Sequence, residues 1–161
     1  MNERIEFQKA EMQGREKALK VLIQVKSKLF IDGFDDFYIK PMDDMCNWDF
    51  ELRDNITDEI CGYVEAKDRK FPSDDWKIRN GGAQLELKKY NILKAIGEKN
   101  DVPSYYLCTF TDDRYYIWNI DDCEVTQDER MCNKTTAVLQ GKVLKKCVYF
   151  STRDAKLTGN F

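Results

Sequence analysis

The sequence predicts an α/β domain with a mixed central β-sheet flanked by helices. Two stretches, 3 to about 29 and 82–97, repeat apolar residues at the helical interval. Around them lie short runs rich in β-branched and aromatic residues, bounded by turn-forming Asp, Asn, Gly and Pro. The 161 residues suffice for one domain (1–161), and 42% hydrophobic with 34% charged is an ordinary globular balance. No run of about 18 apolar residues marks a membrane span.

Taken in order, Ile5, Met12, Leu19, Leu22, Ile23 and Leu29 define the apolar stripe of the first helix, with Asn2 to cap it and Asp32-Gly33 to end it. FDDFYIK (34–40) reads as a strand stopped by Pro41. WDFEL and ICGYVEAKD read as a second and third strand joined by the polar turn RDNITDE. KFPSDDWKIRNGG reads as a long loop, of the kind that carries function. In it Lys70, Lys77 and Arg79 are candidate phosphate contacts, and Trp76 either stacks on a base or anchors the loop. Leu85, Ile92, Leu93 and Ile96 form the stripe of the second helix, which would place Gln84 and Lys88 on one face. SYYLCTF and YYIWNI form a hairpin. Residues 122–145 read as loop with strand pieces, KCVYFS as a last strand, and the tail DAKLTGNF as poorly ordered.

The chemistry concentrates at the hairpin formed by the second and third strands. Residues two apart on a strand share a face, so Glu65 and Lys67 project together with Ala66 behind them. Pairing of the strands brings Asp49 beside Glu65. Two converging carboxylates suit Mg²⁺, and a nearby ammonium can orient water or stabilise charge on a phosphate. The same spacing also suits an edge hairpin with a surface Glu–Lys pair. Glu16, and alternatively Glu11, border the apolar stripe of the first helix and are candidates to reach into a cleft.

Composition narrows the chemistry further. The chain has six cysteines, no Cys-x-x-Cys pair and no histidine, which argues against common zinc sites and removes the commonest general base. Cys61 and Cys108 lie in apolar runs and read as buried thiols. The charged N-terminus lacks a signal core, so an intracellular, cytoplasmic setting is expected. Net charge is −3, yet residues 32–65 hold eleven acids against two bases, while 66–99 hold nine bases against five acids. The acidic block contains the carboxylates, and the basic block can track phosphates.

Asp49 in WDFEL and Glu65-Ala66-Lys67 in GYVEAKDR, in the order helix, strand, strand, strand, helix, strand, resemble the PD-(D/E)XK nuclease superfamily with its restriction-endonuclease-like fold. The resemblance covers about residues 3–120. It implies an αβββαβ core with a C-terminal β extension (about 121–161), and a DNA-cleaving enzyme that uses Mg²⁺ or Mn²⁺. It makes Asp49, Glu65 and the Ala66 carbonyl metal ligands, with Glu51 as a further possibility. Lys67 would activate or position water, and Glu16 or Glu11 would add a carboxylate. Gln84 and Lys88 would serve from the following helix. Trp48 stands where the family's proline is often found. DNA is the implied partner, with a homodimer as a way to reach both strands. The rivals are a nucleic-acid-binding module without the chemistry, and a small structural protein of a virus or mobile element. The bases Arg130, Lys134, Lys142, Lys145 and Lys146, and the patch Asn133-Lys134-Thr135-Thr136, offer further phosphate contacts.

Overall fold

Residues 2–25 contain no proline and many straight-chain helix formers, and they fold as α1 (Asn2–Val25), closed by a 3₁₀ turn at Lys26–Lys28. The computed structural model describes residues 2–29, 31–133 and 141–161. Ala18, Val21, Leu22 and Val25 are buried. Ile5, Met12 and Ile23, expected in the same stripe, are instead exposed.

Three strands follow: β1 (Phe37–Pro41), β2 (Phe50–Asp54) and β3 (Ile60–Asp68). They pair antiparallel in sequence, as alternating patterns joined by short polar turns should. Where a loop was expected, a short helix, α2 (Trp76–Gly81), forms; the Asp75 carboxylate caps it by accepting the Lys77 N–H at 2.9 Å. The expected helix at 82–97 also begins later. Ala83–Glu86 is a strand, β4, and α3 spans Leu87–Asn100. The start is displaced because β4 pairs with a strand some 60 residues onward, a tertiary contact that overrides local helix preference. The β5 (Ser104–Thr109) and β6 (Arg114–Asn119) hairpin falls where alternation placed it.

The last forty residues are more regular than their sequence suggests. β7 (Val125–Asn133) and β8 (Lys142–Phe150) pair along their whole length, and β9 (Leu157–Asn160) pairs with β6. The tail is held by the Lys156 N–H, which donates to the Ile117 carbonyl at 2.7 Å, and by Phe161 against the core. Of the Asn133–Thr136 patch, Lys134, Thr135 and Thr136 lie outside the described residues.

Six strands form a mixed sheet in the order β1-β2-β3-β5-β6-β9, in which β3 and β5 are parallel and joined through α3. A second sheet has the order β4-β8-β7. Alternate residues of β5 feed two cores. Tyr105 and Leu107 join α1's Val21 and Leu22, whereas Tyr106 and Cys108 join Leu93 of α3 and Phe150 of β8. Both Cys61 and Cys108 are buried free thiols. Among the described residues no helix is long and apolar enough to cross a membrane.

Candidate functional site

The β2–β3 pairing sets Phe50 opposite Val64 and Glu51 opposite Tyr63, so Asp49, directly before β2, comes level with Glu65. The Asp49 N–H donates to the Val64 carbonyl at 3.0 Å, and its Oδ2 accepts the Ala66 N–H at 2.8 Å. The carboxylate thus prolongs the ladder one step beyond β2. A strand residue's N–H and C=O point to the same side, so the Ala66 carbonyl also faces the edge where Asp49 lies.

Glu65 lies on the face of β3 turned toward α3. Its side chain is 9% exposed, and its Oε1 accepts from Lys89 Nζ at 2.7 Å. Its Oε2 is buried and has no hydrogen-bond partner among the described residues. Burial, reinforced by the negative charge of Asp49, pushes the carboxyl up to about 7, against the smaller opposing pull of Lys89 and Lys67. The charges of Asp49 and Lys67 thus both act on the Glu65 carboxyl, in opposite directions. Lys67 is exposed at the rim.

Other expected participants lie elsewhere. Glu16 and Glu11 on α1 are exposed. The α1 residue that reaches the site is Arg15, with Nη2 3.4 Å from Asp49 Oδ1 and Nη1 donating to the Met42 carbonyl at 2.9 Å. Among the described residues no group of three or more His, Cys, Asp or Glu side chains is arranged to hold a metal ion, so a third carboxylate is not supplied. Glu51, 4% exposed, has both oxygens occupied by Trp48 Nε1 at 3.2 Å and by Arg53 at 2.7 Å.

Gln84 is on β4 rather than a helix, and its amide donates to the Cys132 and Cys147 sulfurs at 3.2 and 3.1 Å, away from Glu65. With α3 beginning at Leu87, Lys88 turns to solvent and Lys89 faces β3. Lys89 is recognisable in retrospect: it precedes Leu93 and Ile96 by four and seven residues, at the head of α3's buried stripe. Arg15 likewise precedes Ala18 and Leu22 of α1's buried stripe, by three and seven residues.

Of the candidate phosphate contacts, Lys70, Lys77, Arg79 and Lys88 are all exposed. Lys70 pairs with Asp68 at 2.6 Å, and Lys77 sits 5.5 Å from the Phe71 ring centre. Trp76, 66% exposed at the start of α2, does not anchor the segment.

No family model, curated protein or solved structure matches the chain. The reading of this site rests on its chemistry.

Proposed function

We propose that the protein is a divalent-metal-dependent nuclease that hydrolyses DNA phosphodiester bonds on a restriction-endonuclease-like core. One observation carries the reading: a buried Glu65 carboxylate with an oxygen lacking a partner, set beside Asp49. Two like charges held together in a desolvated place call for a cation. The donors are oxygens, which suits Mg²⁺ or Mn²⁺ with water completing the coordination. Asp49 and Glu65 would hold the ion, with the Ala66 carbonyl as a further ligand. When bound, such an ion makes a water more acidic and polarises a phosphoryl oxygen.

The chain's own groups do the rest. The Ala66 N–H fixes the Asp49 carboxylate, and Lys89 fixes Glu65 by one oxygen. Lys67, next on the same face, orients the attacking water and offsets charge developing on the phosphate. Lys70, Lys77, Arg79 and Lys88 supply salt-sensitive contacts to the DNA backbone.

The test is cleavage of a labelled duplex with Mg²⁺, with and without chelator. Lys67→Ala is expected to lower the rate by about 100-fold or more while duplex affinity in Ca²⁺ stays the same. Undiminished cleavage by that variant removes the mechanism.

The ion pairs of Arg15 with Asp49 and Lys89 with Glu65, and the lack of a third carboxylate at the site among the described residues, favour a second reading: a nucleic-acid-binding protein of the same fold that does not cut. Duplex binding that weakens with salt, with no nicking at any Mg²⁺ concentration, selects it.

A further inference from the structure

On the outer face of α1 three apolar side chains stand exposed among the described residues. Ile5 is 46% exposed, and Met12 and Ile23 are each 63% exposed. At 100° per residue these three fall on one stripe together with Lys9 and Glu16, and Leu19 flanks it. The opposite side is the one that docks on the domain. There Ala18, Val21 and Val25 are buried, and a Cβ on Gly14 would lie 3.0 Å from the Asp68 Cβ. Ile5 and Met12 lie seven residues apart, the spacing of a two-helix seam, and Leu19, seven further on, is half-buried against the domain's own core. In the first half of α1, Ile5, Glu6, Gln8, Lys9, Glu11, Met12 and Gln13 are exposed, and Ala10 is half-buried.

We propose that this stripe is the seam of a symmetric homodimer in which two α1 helices pack antiparallel, with the two-fold axis near Gly14. This alignment sets Ile5 against Ile23 of the second copy and Lys9 level with Leu19 of the second copy. It brings Lys9 within one turn of Glu16 of the second copy, twice by symmetry. Each first half then lies against the second half of the other helix. A parallel alignment would set Lys9 against Lys9 and Glu16 against Glu16, so the charges choose the antiparallel one. A two-fold contact of this kind is self-complementary, as a closed dimer requires.

The experiment is light scattering on the full chain across a concentration series. The expected mass rises to twice 19.0 kDa. Met12→Lys and Ile23→Lys are expected to stay monomeric with unchanged circular dichroism, because both side chains lie at the surface. Lys9→Glu and Glu16→Lys should each weaken the dimer about tenfold, and the double reversal should recover most of that loss. A wild-type mass that remains 19.0 kDa up to about 100 µM overturns the proposal. So does a dimer that survives Met12→Lys and Ile23→Lys, or a double reversal no tighter than either single one.

Discussion

A carboxylate removed from water is costly unless each oxygen finds a donor, and Glu65 has a donor for only one. Its proton is therefore held up to about pH 7 in the fold, against 4.5 for an ordinary glutamate. Between those values the folded chain binds more protons than the unfolded chain, so stability falls as pH rises through the window. Below it the two states are equally protonated and the difference vanishes. Glu65→Gln cannot ionise. Without metal, it is expected to be more stable than the parent by about 2 kcal/mol at pH 8 and indistinguishable near pH 4. Denaturant titrations at the two pH values check this, and a variant less stable than the parent at pH 8 contradicts it. Added Mg²⁺ should reverse the ranking, because only the parent offers a carboxylate to the ion.

At the scale of elements, close backbone approach fixes the junction between α2 and β4. Gly82 has φ +81°, and a Cβ there would lie 2.4 Å from the Phe150 carbonyl oxygen. Gly33 has a similar φ of +84°, but a Cβ there would meet no atom of the described residues within 4 Å. Gly33→Ala is expected to cost about 1 kcal/mol for the dihedral alone, and Gly82→Ala about 3 kcal/mol or more, because β8 must also move. Equal shifts of the two unfolding midpoints would show that the approach to Phe150 carries no cost.

The same junction explains what was legible in the sequence. The β2–β3 and β5–β6 hairpins were readable because period-two alternation and a polar turn are local signals. With the first came the register that sets Asp49 level with Glu65. The break between β4 and α3 was not readable, because Ala83 to Glu86 become a strand only by pairing with residues 147–150. That error set Gln84 and Lys88 where Lys89 belongs. The two faces of α1 were read as one because steps of seven and three residues from Ile5 through Met12 and Leu19 to Leu22 drift round the helix, so that Leu22 ends about 80° from Met12, on the covered side.

For the molecule as a whole, the second core is closed from the far end of the chain. Val148 and Phe150 are fully buried, and Phe150 lies 5.3 Å from the Tyr106 ring and 5.8 Å from the Trp118 ring. Trp118 Nε1 donates to the Ser151 carbonyl at 2.7 Å. Without β8, the buried side chains Tyr106, Trp118 and Ile120 would meet water, and β4 would lose its pairing partner. Each large side chain so exposed forfeits about 1.5–3 kcal/mol, and a domain holds only about 5–15 kcal/mol in all. Residues 1–120, though they span every element of the proposed nuclease core, are therefore expected not to fold cooperatively. Residues 1–155, which lose Lys156, the edge strand β9 and Phe161, should remain folded but melt at a lower temperature. Thermal melts followed by circular dichroism separate the cases. A sharp transition in the 1–120 fragment would mean that the small sheet rests on the domain without completing it.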